Sequence, residues 1–214
     1  MSVTERLRAV RERIARACDA AGRDPGSVTL VAVSKRHPAD AIREAMDAGQ
    51  GLFGENYAQE LAEKAAEIDG ARWHMIGHLQ RNKVKLLIPT RALIETVDSP
   101  RLARELDKRA QDSVDVLLQV DVAREASKSG CSIEDLDDLV DAARALPRLN
   151  VRGLMAIPPA GEDPRPHFAA LRRLAEARSL PDLSMGMSSD LEIAVEEGAT
   201  IVRVGTAIFG PRPG

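Results

Sequence analysis

The polarity pattern of the chain switches repeatedly between two periods. Short runs that are nearly all apolar, VTLVAVS, GLFGE, RWHMIG, ALIETVD, VDVLLQVDV, NVRGLMAI, LSMGMS and TIVRVG, have the length of strands. Continuous apolarity of this kind belongs to strands covered on both faces of a parallel sheet. Between them lie PADAIREAMDAG, NYAQELAEKAAEI, RNKVKLL, SPRLARELDKRAQ, IEDLDDLVDAARAL, PRPHFAALRRLAEARS and SDLEIAVEEG, whose apolar residues recur at helical spacing. One more helix precedes them. TERLRAVRERIARACDAAGRD aligns Leu7, Val10, Ile14 and Ala17 on one face, with Thr4 expected as N-cap, Gly22 as stop, and the arginines on a solvated outer face. Eight βα units with short connections predict a (β/α)8 TIM barrel with an extra N-terminal helix, one domain over residues 1–214. An open doubly wound sheet is the alternative, but no G-x-G-x-x-G follows the first strand.

Composition narrows the function classes. Of 214 residues, 44% are hydrophobic and 29% charged, ordinary for a soluble globular chain, and only 2% are aromatic. A net charge of -3, with one Trp, one Tyr and three Phe, supplies neither the basic footprint nor the stacking platforms of a nucleic-acid binder. Cys18 and Cys131 have no metal-binding spacing and read as reduced thiols. No apolar stretch approaches the roughly 20 residues of a membrane span, and charges from Glu5 onward leave no signal-peptide core. A cytoplasmic protein is expected.

In such a barrel, chemistry gathers where strands end and βα-loops begin. The first run ends in Lys35, a charge after LVAVS, and a lysine there is either solvated or placed for reaction. The last two runs end in Ser188-Ser189 and Gly205-Thr206, each at a helix start. The loops after the seventh and eighth strands are where these barrels build phosphate cups. Taken singly, these residues suit capping, and Ser189 with Glu192 matches an S-x-x-E capping box. Arg203 lies between Val202 and Val204, so period-2 alternation turns it toward the barrel interior. Its acceptor there is either a carboxylate, with Glu55, Asp98 and Asp121 at other strand ends, or an aromatic ring nitrogen. A strand-end lysine, a phosphate cup and an inward arginine together make a pyridoxal 5'-phosphate (PLP) site, with the lysine forming a Schiff base. His74 and His78 are four apart, but the strand-like WHMIG spoils a shared metal geometry and no metal is expected.

The segments VAVSK, FGENY, WHMIGHLQRNK, SKSG, VRGLMAI, MGMSSDLE and VRVGTAIFG, in this order from about residue 28 onward, resemble the pyridoxal phosphate homeostasis (YggS/PROSC) family. That family's barrel is similar to the N-terminal domain of alanine racemase. The resemblance implies that Lys35 links PLP, that Ser188, Ser189, Gly205 and Thr206 hold its phosphate, and that Arg203 meets the pyridine nitrogen. It places Asn56 at the pocket wall and lets His78 and Gln80 face the mouth. Lys128 in SKSG reads as an exposed loop lysine rather than a second contact.

Racemisation by two bases needs a proton carrier opposite the lysine. No second domain is expected to supply one after the eighth unit, and the single Tyr, Tyr57, sits in the second βα turn. A non-catalytic PLP carrier or buffer, monomeric and serving PLP-dependent apo-enzymes, is therefore expected, with no catalytic residues. The alternatives are a low-activity racemase and, more remotely, a sugar-phosphate enzyme with a Schiff-base lysine.

Overall fold

Every apolar run becomes a strand, and all run the same way because the intervening segment carries the chain back each time. A computed structural model describes residues 1–123 and 129–211. Its strands are β1 (Thr29–Val33), β2 (Leu52–Glu55), β3 (Arg72–Met75), β4 (Leu93–Val97), β5 (Val114–Gln119), β6 (Leu149–Met155), β7 (Asp182–Ser184) and β8 (Ile201–Val204). They pair in parallel in chain order, and β8 returns to β1 to close a barrel. Closure leaves no sheet edge to protect. The closing register sets Val31 beside Arg203 and Ala32 beside Val204.

The helices are α1 (Val3–Ala20), α2 (Ala39–Asp47), α3 (Ala58–Glu67), α4 (Val84–Leu87), α5 (Pro100–Arg109), α6 (Leu136–Arg144), α7 (Arg165–Glu176), α8 (Leu191–Glu196) and α9 (Thr206–Phe209). None is long and apolar enough to cross a membrane, among the described residues. Lys128 lies outside the described residues.

Strand alternation divides the core in two. Val31, Leu52, Leu117, Met155 and Ile201 form an inner cluster. Their chain neighbours Ala32, Phe53, Leu118, Leu154 and Val202 join the large cluster between strands and helices. By the same alternation His74, Ser184 and Arg203 face inward, since Trp73, Met75, Leu183, Met185, Val202 and Val204 all pack outward.

Two readings of the first helix change. The N-cap is Ser2, not Thr4: the Glu5 amide donates to Ser2 Oγ at 3.1 Å and the Ser2 amide donates to Glu5 Oε2 at 2.8 Å, a complete capping box. The helix does stop before Gly22, at φ +64°. Arg8, Arg11 and Arg16 are exposed, but Arg6, Arg13 and Arg23 are half-buried and bond carbonyls in the last two units. Arg6 Nε donates to Ile208 O at 2.6 Å, Arg13 Nη2 to Ser188 O at 3.0 Å, and Arg23 Nη1 to Val195 O at 2.6 Å.

Candidate functional site

The β1 strand stops at Val33, and Lys35 follows in the turn, half-buried. The next residue, Arg36, has φ +63°, a left-handed conformation that costs a side-chain-bearing residue about 1–2 kcal/mol. The surroundings hold it there. Glu60 Oε1 accepts from the Arg36 amide at 2.5 Å. Lys64, from α3, donates to Ser34 O, Glu55 Oε1 and Glu60 Oε1, each at 2.8 Å. One buried ammonium thus clamps the ends of the two strands that deliver Lys35 and Asn56. Asn56 itself depends on Gly77, because a Cβ at Gly77 would sit 2.2 Å from Asn56 O.

The turns after β7 and β8 are tied down as well. Asp190 Oδ1 accepts from the Met187 amide at 2.5 Å, and Arg13 holds Ser188 O. The capping box of Ser189 and Glu192 does not form. Both Glu192 oxygens are taken by Arg13, at 2.7 and 2.9 Å, and α8 starts after Asp190 instead. The two serines are therefore not committed to a helix cap. At Gly205 an added Cβ would lie 3.2 Å from Val33 O, a tight contact that glycine avoids where α9 begins against the end of β1.

These pieces meet in one cavity of about 290 Å³, lined by Lys35, Asn56, Ser188, Ser189, Arg203, Gly205 and Thr206. Its remaining walls are Val33, His37, Ile76, Ile157 and Met187. That volume sits at the small end of ligand pockets, roughly 300–1,000 Å³. Clefts of about 540 and 780 Å³ are larger, but both open around the strand starts at the opposite end, lined by residues such as Asp115, Leu93 and Thr200. Conserving the barrel, not chemistry, is the usual business of that end.

Residues 6–213 match the family model described as alanine racemase, N-terminal domain. The pyridoxal phosphate homeostasis protein of Pseudomonas aeruginosa is 46% identical over 221 residues, covering 99% of this chain and 96% of its own. The chain belongs to the pyridoxal phosphate homeostasis protein family. The solved structure of PipY from Synechococcus elongatus PCC7942, with PLP bound, matches at a TM-score of 0.85 and 38% identity, covering 98% of this chain and 100% of that one. Alanine racemase from Corynebacterium glutamicum, at 18% identity and a TM-score of 0.76 over 97% of this chain and 61% of its own, shares the fold alone.

In this member of the pyridoxal phosphate homeostasis family, Arg203 is buried and does face inward. Its partner is not one of the strand-end carboxylates named from the sequence. Glu55 faces outward to Lys64, Asp98 lies 3.4 Å from His78, and Asp121 accepts from the Ala123 amide. Glu95, in mid-strand, takes that place at 3.5 Å. His78 is more than half exposed and, like Gln80, does not line the cavity. His37 does, stacked on Phe209 at 5.1 Å, and nothing in the local pattern of SKRHP marks it as a wall residue. Among the described residues no group of three or more His, Cys, Asp or Glu could hold a metal ion.

Proposed function

We propose that this chain binds PLP in the 290 Å³ cavity through Lys35 and serves intracellular PLP homeostasis as a carrier or buffer, without turnover. The observation that carries the reading is convergence. Seven residues from the first, second, seventh and eighth βα units line one small cavity at the strand ends. The PLP-bound PipY relative supports it.

The residues suit the cofactor. PLP brings an aldehyde that an amine captures reversibly. Lys35 supplies that amine from a turn clamped by Lys64 and Glu60. Ser188 and Ser189 offer hydroxyls, while Gly205 and Thr206 offer the opening N–H groups of a helix, suited to a phosphate. Asn56 offers an amide at the wall. Arg203 would hold the pyridine nitrogen, and since arginine does not release its proton, that nitrogen stays a poor electron sink.

The same reasoning favours a carrier over a racemase. Besides Lys35 and Arg203, the titratable side chain in the cavity wall is His37, two residues from Lys35 in the same loop and stacked on Phe209, so among the described residues no other βα unit adds a second base to the wall. Tyr57 is 59% exposed and outside the wall. A monomeric cytoplasmic protein that exchanges PLP with apo-enzymes fits this picture.

The test is borohydride reduction after incubation with PLP, with the modified peptide mapped by mass spectrometry. Label concentrated on Lys35 and lost in Lys35→Ala supports the site, and label scattered over surface lysines overturns it. Alanine racemisation by the loaded protein, at a rate that Lys35→Ala abolishes, would move the reading to the racemase.

A further inference from the structure

The barrel interior carries a charge that its aliphatic packing does not need. Such interiors are ordinarily filled by layers of branched apolar side chains. Here Glu95 is buried with 0% exposure, in the middle of β4. His74 Nδ1 meets its Oε1 at 2.6 Å. Ser184 Oγ donates to its Oε2 at 2.5 Å, and Arg203 Nη1 lies 3.5 Å from the same oxygen. Arg203 Nη1 also donates to Ser184 Oγ, and its Nη2 donates to Ala156 O at 3.0 Å. Four inward side chains from β3, β4, β7 and β8 thus form one hydrogen-bonded chain.

This chain spans the barrel. Arg203 lines the 290 Å³ cavity at the strand ends, and His74 lines the 780 Å³ cleft at the strand starts. A guanidinium has five N–H groups in a rigid fork. Ser184, Glu95 and Ala156 occupy those on the barrel side and leave the others for the cavity. A buried cation without an anion beside it is costly, so an arginine at the cavity floor needs a carboxylate close by. Glu95 is that carboxylate, and its charge is itself supported. Burial alone would raise the Glu95 carboxyl, but the hydrogen bond and charge of His74, then Arg203 and Ser184, outweigh this and hold it below the ordinary glutamate value.

We infer that Glu95 is a positioning residue for the cofactor site: through Ser184 it holds Arg203 oriented on the ring nitrogen of PLP, and His74 fixes the carboxylate from the far side. This rests on the PLP reading above. Glu95 touches no ligand, since it lies beneath Arg203 and outside the cavity wall. Its effect on the ligand therefore passes through Arg203 alone, and that gives it a signature. A residue that merely filled the barrel would loosen every contact of the cavity together. A positioning residue alters the ring contact and spares the phosphate cup.

The experiment is a cycle of Glu95→Gln, Arg203→Gln and the double variant, reading PLP affinity by titration, the absorption band of bound PLP, and competition by inorganic phosphate. Glu95→Gln is expected to weaken PLP about tenfold, the equivalent of about 1.4 kcal/mol, and to shift the absorption band. Phosphate competition should keep its wild-type constant. In the Arg203→Gln background the same change should add nothing, because the groups are coupled. Independent, multiplying effects overturn the inference, as does a folded Glu95→Gln protein with unaltered affinity and band. Should Glu95→Gln fail to fold, Ser184→Ala and His74→Gln carry the test, expected to weaken PLP while borohydride still labels Lys35. Unchanged affinity and band in both overturns it. A wild-type protein that takes up no PLP overturns the functional reading and this inference with it, whereas wild-type uptake with insensitive variants overturns only the inference.

Discussion

Glu55, at the end of β2, and Glu95, in the middle of β4, are both fully buried in one barrel, yet burial treats them oppositely. Glu55 points outward beneath α3. Its Oε1 takes Ser34 Oγ at 2.7 Å and Lys64 Nζ at 2.8 Å, while its Oε2 has no partner. Burial pushes its carboxyl up, and Lys64 and Ser34 offset that only in part. Glu95 points inward, with His74 on one oxygen and Ser184 on the other. There the donors win, and the carboxyl sits below its ordinary value. Depth therefore does not decide the charge of a buried acid; the number of donors on each oxygen does. The outward cluster clamps strands to a helix, and the inward one sets the charge under the cavity.

The largest expected effect separates the two clusters by stability. Glu95→Ala strands Arg203 without its carboxylate and should cost about 3–5 kcal/mol, read by urea unfolding. Lys64→Ala should cost less, about 1–3 kcal/mol, because Glu55 is already disposed to take up a proton and leave no bare charge. Equal losses would break the comparison.

A smaller effect lies in the pH dependence, where the signs oppose. Glu95, depressed in the fold, contributes stability above the ordinary glutamate value, about 4.3, and loses it as pH falls through the lower folded value. Glu95→Gln should therefore flatten the acid limb of the unfolding midpoint. Glu55, raised in the fold, contributes stability below that ordinary value and loses it as pH rises through the higher one. Glu55→Gln should gain on the wild type as pH climbs above the ordinary glutamate value. Midpoints that move the other way would reverse the assignment of donors.

The smallest effect concerns a group with burial and almost no compensation. Burial pushes the Cys131 thiol up to about 12. Iodoacetamide at mildly alkaline pH should leave Cys131 intact in the native protein and alkylate it in urea. Equal rates would mean that the β5 margin opens freely.

What could be read from the chain followed periodicity. The eight strands and the inward turn of Arg203 came from apolar runs and alternation, and the cavity residues came from strand ends. Glu95 carries the same signal as Arg203, a charge inside the apolar run ALIETVD, but its mid-strand position lies away from the strand ends where barrel chemistry gathers. The four-residue spacing of His74 and His78 suggested a metal question, whereas the barrel turns His74 to Glu95 and leaves His78 beside Asp98. The box at Ser189 and Glu192 failed for a tertiary reason, since Arg13 from the first helix outbids a local cap. Neither that long-range contact nor the Ser34–Glu55–Lys64 clamp leaves any mark on local pattern.

Closure of β8 onto β1 has a consequence for the order of events in synthesis. Lys35 belongs to the first βα unit, and Arg203, Gly205 and Thr206 belong to the last. At about 5–20 residues per second, a growing chain exposes this lysine on the order of ten seconds before the last residues that share its cavity exist. Until then β1 has a vacant edge, and the arginines of α1 lack the carbonyls they bind. These are contacts of high sequence separation, the slow kind in folding. The cavity at the strand ends therefore exists only once the sheet is sealed, because its walls come from both ends of the sequence.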